Sequence, residues 1–192
     1  MTTKILAFAQ DAVPRDLKAQ ALAILEAAWP SGRPIEARLD RPLHDPRSEP
    51  ECMLLVEDGR VVAYLAIPRR TIVHRGFAYR ACGLSAVSTH PDHLRRGHAA
   101  RLVAAARERI EASGADVGVF TCDPPLVPLY EAQGWTHMPR TVVVGGTRAV
   151  PFRADSLGKA TLMAFFSPLA REHRADFDDA DVYLDLREGD LW

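Results

Sequence analysis

The segment from Val87 to Val103 constrains this chain more than any other. A β-rich run ends at Val87-Ser88-Thr89 and stops at Pro91; Arg95, Arg96 and Gly97 follow, and an alanine-rich helix then begins. A helix start exposes backbone N–H groups without intrahelical acceptors, at the positive end of the helix dipole, and that suits a phosphate. Arg95 and Arg96 sit at this positive end, where an isolated helix favours Asp or Glu. A bound polyanion removes the conflict. The chain is therefore expected to pass from a strand into a helix around a local anion site.

Composition bounds what that anion belongs to. The 192 residues carry a formal net charge of −1, which argues against a nucleic-acid binder held by bulk electrostatics. A hydrophobic fraction of 47% and a charged fraction of 26% are those of an ordinary globular domain with a core of useful size. No apolar run approaches the ~20 residues of a membrane span, and the first residues turn polar too soon for a secretory signal. Cys52, Cys82 and Cys122 are odd in number and far apart, so they read as reduced thiols of a cytoplasmic protein. No activating partner adjoins any of them in sequence.

Along the chain, Lys4 to Ala9 reads as a strand. A helix runs from Pro14 to Trp29, with Leu17, Ala21, Ile24, Leu25 and Ala28 on one face, and Pro30 ends it. Five prolines between 30 and 50 mark a long irregular loop, read as a lid or binding loop or else as disordered. Cys52 to Glu57 and Val61 to Arg70 form a hairpin through Asp58-Gly59, and Phe77 to Thr89 completes a three-stranded meander after Arg75-Gly76. A helix covers Gly97 to Ser113, with Gly114 at its C-terminal cap. A strand over Asp116 to Cys122, a short helix ending at Gly134, and a strand over Trp135 to Val144 come next. Gly145-Gly146 is expected to break that strand and open a polar loop to about Gly158. Ala160 to Phe166 is a strand, Arg171 to Asp181 an acidic surface loop or weak helix, and Val182 to Leu186 a last strand leading into the tail. Neither a Gly-x-Gly-x-x-Gly nor a P-loop is present.

Two segments now gain meaning together. The run Val87 to Ala99 resembles the coenzyme A motif of the GCN5-related N-acetyltransferase (GNAT) family, which runs strand, Val-x-Pro, Gln/Arg-x-x-Gly-x-Gly/Ala, helix. Gly97 and Ala99 take the two small positions, and Leu94 stands where the family has Gln or Arg. The resemblance implies that Val87, Ser88, Thr89, Leu94, Arg95, Arg96, Gly97, His98, Ala99, Ala100 and Asp123 bind acetyl-CoA, with backbone amides from Arg95 to Ala100 carrying most of the grip. Leu129-Tyr130…Gly134-Trp135 is similar to the family's Leu-Tyr-x-x-x-Gly-Phe/Trp signature. Tyr130 would then be catalytic, protonating the departing thiolate; a phenol near pKa 10 and a thiol near about 8.5 are matched closely enough for this transfer. The alternative is a core tyrosine on an apolar helix face.

The tail Asp185-Leu186-Arg187-Glu188-Gly189-Asp190-Leu191-Trp192 is similar to that of the aminoglycoside 2′-N-acetyltransferases. That likeness implies that Asp190 and the Trp192 carboxylate bind a cationic acceptor; the alternative is a tail docked by its Trp for stability. Asp45 in the proline-rich loop is a separate candidate for binding the acceptor. The same group has a Glu before the cofactor motif, proposed as a base through water. Here the place falls near Ser85 and Ala86, so the base stays open among the Trp192 carboxylate, Asp45, His44 and a backbone carbonyl with water. His90, His93 and His98 lie close in sequence, but their spacing matches no standard zinc pattern, and no metal is expected.

The expectations are a single α/β domain over 1–192 with the GNAT fold: a mixed, mostly antiparallel central sheet flanked by helices, splayed between the strands ending near Thr89 and Cys122 to hold acetyl-CoA. The tail, 182–192, lies near the acceptor site. Acetyl passes directly to a primary amine of a small, amine-rich acceptor, aminoglycoside-like. The alternatives are another small-amine acyltransferase or a coenzyme A-binding module without turnover. Neither nucleic acid nor membrane is a partner, and a homodimer is allowed.

Overall fold

The computed structural model describes residues 2–192. In chain order the strands and helices of the first half are β1 (Thr3–Ala9), α1 (Arg15–Ala28), β2 (Glu51–Glu57), β3 (Arg60–Ile67), β4 (Arg69–His74), β5 (Phe77–Cys82), β6 (Ser85–Thr89) and α2 (His98–Ala112). The second half contains β7 (Val117–Cys122), α3 (Val127–Glu131), β8 (Thr136–His137), β9 (Val142–Gly146), β10 (Pro151–Arg153), β11 (Ala160–Phe165), α4 (Pro168–Glu172) and β12 (Asp181–Tyr183). The chain divides into two compact units, Met1–Pro68 with Ser85–Ala106 and Arg69–Leu84 with Arg107–Trp192.

In the first unit four antiparallel strands lie in the order β1-β2-β3-β6. The Asp58-Gly59 turn joins β2 to β3 with both residues left-handed, at φ 46 and 83, as the tightest hairpin turns require. The apolar face of α1 packs on this sheet: Ala21, Ile24 and Leu25 join Cys52, Leu54, Val56 and Tyr64 in one buried cluster. Trp29, just past the helix and before Pro30, is 56% exposed.

In the second unit the order is β4-β5-β7-β11-β8, antiparallel except for the parallel pair β5/β7. A smaller sheet, β10-β9-β12, pairs β9 antiparallel to β10 and parallel to β12. Phe120 meets Trp135 edge-on at 4.8 Å and Tyr130 at 4.9 Å. A Cβ on Gly118 would stand 2.5 Å from the Trp135 ring, so the glycine admits the indole. The fold is thus α/β with mixed, mostly antiparallel sheets flanked by helices.

The meander differs from its expected form. The run Val61 to Arg70 is divided at Pro68, which cannot donate to a strand ladder. The run Phe77 to Thr89 is divided at Gly83-Leu84, and its halves join different sheets. Gly83 itself is pressed by the Trp192 ring: an added Cβ would lie 2.6 Å from Trp192 Cε3. The expected strand Trp135 to Val144 is interrupted by the turn Met138-Pro139-Arg140-Thr141, closed by Thr141 N–H to the Met138 carbonyl at 3.1 Å.

Gly145 and Gly146 do not break β9 but end inside it. The loop beyond them contains β10 and a short helical turn. The segment 171–181 takes the weak-helix form, as the end of α4 and a helical turn over Arg174–Phe177, and it is anchored by Phe177, which is fully buried, stacked on His74 at 4.3 Å and edge-on to Tyr79.

The proline-rich segment 30–50 is stitched down rather than structureless. Glu26 accepts from Ser31 N–H, Ser31 Oγ, Gly32 N–H and Arg38, and these contacts, led by the Ser31 hydroxyl, hold its carboxyl below the usual range. Lys18 reaches the Arg41 carbonyl at 2.8 Å, and His44 N–H donates to Gln10.

Candidate functional site

β6 brings Val87, Ser88 and Thr89 to the edge of the first sheet. Its register against β3 runs Thr89↔Ala63, Ser88↔Tyr64 and then Ser85↔Ala66, so β6 carries one extra residue. Ala86 absorbs this bulge with φ 55. Such a bulge leaves a residue outside the ladder and re-aims the strand, and a non-glycine residue at positive φ is itself costly by roughly 1 kcal/mol. Backbone N–H groups at a bulge of this kind can face a ligand rather than a neighbouring strand.

After β6 the chain makes a short turn over Pro91–His93, in which His90 Nδ1 accepts from Asp92 N–H at 3.2 Å. Arg95 (φ 60) and Gly97 (φ 79) are both left-handed on either side of Arg96. Alternation of this sort gathers successive N–H groups into an anion-binding concavity. The first helical bond of α2 is Arg101 N–H to the Gly97 carbonyl at 3.0 Å. The N–H groups of His98, Ala99 and Ala100 therefore have no intrahelical acceptor. Nothing lies within 4 Å of where a Gly97 Cβ would stand, and Leu94, Arg95 and Arg96 are exposed. An open ring of unused donors beside two guanidinium groups fits a pyrophosphate, and it does so without the side chain that Leu94 replaces.

The second unit positions the other predicted residues. Tyr130 lies on α3, which Pro128 opens in its first turn, where no backbone bond is lost. It is 5% exposed, edge-on to Phe120. Burial first, then the neighbouring Cys122 and Asp123, push its phenol well above the ordinary value. Tyr130 is therefore neutral at physiological pH and holds a proton it can donate. Burial also pushes the Cys122 thiol up to about 11, and the Cys52 thiol upward, which removes both as nucleophiles at neutral pH. Asp123, at the end of β7, is paired with Lys159 at 2.6 Å.

The tail is built into this unit. The Trp192 oxygen accepts from Thr121 N–H at 3.1 Å and from Thr121 Oγ1. The parallel pairing of β5 with β7 ends at Cys82↔Gly118, and the Trp192 ring, 9% exposed, sits against Gly83 just beyond. The Asp190 carbonyl accepts from Gly146 N–H at 2.9 Å, and a Cβ on Gly145 would stand 2.1 Å from it. That contact explains Gly145-Gly146 better than a strand break does. The Asp190 side chain itself is exposed. Asp45, in the first unit, caps its own turn by accepting from Arg47 N–H and pairs with the Arg47 guanidinium at 2.8 Å.

Two groupings were not legible in the sequence. His44 Nε2 lies 2.7 Å from Tyr64 Oη, which donates to Cys52 Sγ at 3.2 Å. Burial lowers the His44 pKa to about 4, so of the candidate bases it is a weak one. Glu57 meets His93 and His98, with ligand-capable atoms all within 4.8 Å of one another. Desolvation first, then Arg96 and His90, holds His93 below its ordinary pKa. The Asp58-Gly59 turn flags Glu57 as the last residue of β2, but no spacing rule connects it to histidines more than thirty residues away.

Residues 12–138, more than half of the chain, match a family model described as an acetyltransferase (GNAT) domain. The chain belongs to the GNAT acetyltransferase family. Among solved structures it is similar to a probable N-acyltransferase from Enterococcus faecalis, at 12% identity and a TM-score of 0.58, over 72% of this chain and 33% of that one. A GCN5-related N-acetyltransferase from Kribbella flavida gives 16% identity and a TM-score of 0.55, over 72% and 34%. Glucosamine-6-phosphate N-acetyltransferase from Arabidopsis thaliana gives 15% and 0.58, over 71% and 92%. The chain thus spans about a third of the length of the first two. At these identities the likeness is one of fold. No curated protein sequence matches the chain. Among the described residues no helix is long and apolar enough to cross a membrane.

Proposed function

We propose that residues 1–192 act as one acetyltransferase domain that moves acetyl from acetyl-CoA directly to a primary amine of a small, polar, amine-rich acceptor, of aminoglycoside-like chemistry. The observation that carries the reading is the sequence of β6 bulge, left-handed turn at Arg95 and Gly97, and bare start of α2. It offers backbone donors for a carbonyl and for a pyrophosphate on one continuous stretch.

In this reading the N–H groups of Arg95 to Ala100 hold the pyrophosphate, and the Arg95 and Arg96 side chains add long-range attraction. A backbone N–H of Val87 to Thr89 polarises the thioester carbonyl as the amine nitrogen attacks its carbon. The carbon–sulfur bond breaks with its electron pair on sulfur. Tyr130 gives that sulfur its proton, and the proton lost by the amine replaces it through solvent. Asp190, which is exposed, and Asp45, which is half-buried beside Arg47, attract the acceptor's other ammonium groups. The three buried cysteines suit a reducing, cytoplasmic compartment.

The test is a thiol-release assay with acetyl-CoA against aminoglycosides, polyamines and amino-acid amides. Turnover with an amine-rich acceptor supports the proposal. Coenzyme A binding without release of thiol from any amine would instead identify a binding module.

A further inference from the structure

We infer that Glu57, His93 and His98 form a binding site for one divalent transition-metal ion, with zinc the ion their chemistry fits best. All three belong to the first unit. Glu57 ends β2, His93 closes the turn after β6, and His98 is the first residue of α2. The Nδ1 atoms of His93 and His98 stand 3.8 and 3.7 Å from the two carboxylate oxygens of Glu57, one each. These separations are too long for hydrogen bonds. Ligand atoms around a tetrahedral zinc, at bonds of about 2.0–2.2 Å, lie about 3.3–3.5 Å apart. The two histidine–carboxylate separations exceed that spacing by only a few tenths of an ångström, and all three ligand atoms lie within 4.8 Å of one another, so rotation of the side chains closes the set on an ion.

An unsatisfied nitrogen atom points the same way. His93 Nδ1, which faces Glu57, is buried without a hydrogen-bond partner, and His98, whose Nδ1 faces the other Glu57 oxygen, is 9% exposed. Buried ring nitrogens are normally paired, and an ion facing Glu57 gives the His93 nitrogen the partner it lacks. Two imidazoles and one carboxylate are a borderline donor set: calcium and magnesium favour oxygen ligands throughout, and copper(I) favours sulfur. Three protein ligands leave a fourth position for water or an anion. An ion here would tie the end of β2 to the first turn of α2 across the exposed turn 94–97, fixing that turn from one side.

The experiment uses the full chain without an affinity tag, stripped with a chelator. Zinc is titrated by calorimetry, and cobalt(II) by its visible absorption. The expected result is one ion per chain with micromolar or tighter affinity, a rise in thermal midpoint on adding zinc, and the intense visible bands of tetrahedral cobalt. His93→Gln and Glu57→Gln should each weaken binding by about tenfold or more, whereas His173→Gln, in the second unit, should leave it unchanged. Absence of saturable binding by the wild type overturns the inference, as does wild-type affinity in His93→Gln. Should Glu57→Gln fail to fold, the wild-type cobalt spectrum and His93→Gln still decide.

Discussion

His44 gives the structure a measurable dependence on acidity. Its ring is half-buried against Tyr64 and hydrogen-bonded to the Tyr64 hydroxyl, and burial lowers its pKa from 6.5 to about 4. The folded chain therefore favours the neutral ring. The associated stability is fully present above pH 6.5 and is lost as pH falls from there toward 4. With a difference of this size, linkage gives a loss of about 2 kcal/mol by about pH 5, an upper bound because the ring keeps some exposure. Acidic side chains titrate in the same range, so the readout is a difference. Urea unfolding followed by circular dichroism on wild type and His44→Gln, between about pH 7 and pH 5, should show the wild type's advantage shrinking by up to that amount. A gap that stays constant with pH, or an NMR titration of His44 near 6.5, would refute the reasoning.

Three further variants probe the proposed chemistry. Tyr130→Phe keeps the ring that packs on Phe120 and removes the donated proton, so kcat should fall about 10²-fold with little change in thermal midpoint; an unaltered kcat where chemistry limits turnover would exclude Tyr130 as the acid. Gly145→Ala drives a methyl into the Asp190 carbonyl and should cost about 1–3 kcal/mol, measured by denaturant unfolding, together with a raised KM for the amine. Replacing both Arg95 and Arg96 by Ala should raise the KM for acetyl-CoA several-fold and flatten its salt dependence without abolishing binding. Complete loss of coenzyme A binding in a folded double variant would show that side chains, not backbone amides, carry the grip.

Much of the fold was legible because its signals are local. The period of α1 and the Asp58-Gly59 turn sit within a few residues of what they determine, and so does the change from strand to helix at Pro91–Gly97. The errors have one cause. A run such as Phe77 to Thr89 reads as continuous β-structure because each residue suits a strand, yet the Trp192 ring pressed on Gly83 and the separate partners of β5 and β6 divide it. Gly145-Gly146 reads as a breaker until the Asp190 carbonyl, 2.1 Å from a Gly145 Cβ, is seen to require those glycines. Phe177 looked like part of an acidic surface segment because its partners His74 and Tyr79 lie about a hundred residues away.

The segment that dominates the sequence, Val87 to Val103, determined by itself the strand, the turn and the helix start, since backbone donors at a helix N-terminus follow from chain geometry alone. Its two small residues and the later Leu129-Tyr130…Gly134-Trp135 were enough to indicate a family. Tertiary structure alone decided the extra residue of β6, the pinning of Trp192 by Thr121, and the meeting of Glu57 with His93 and His98. Each of those depends on which distant backbone or side chain arrives at a given place, and that is settled by packing rather than by local spacing.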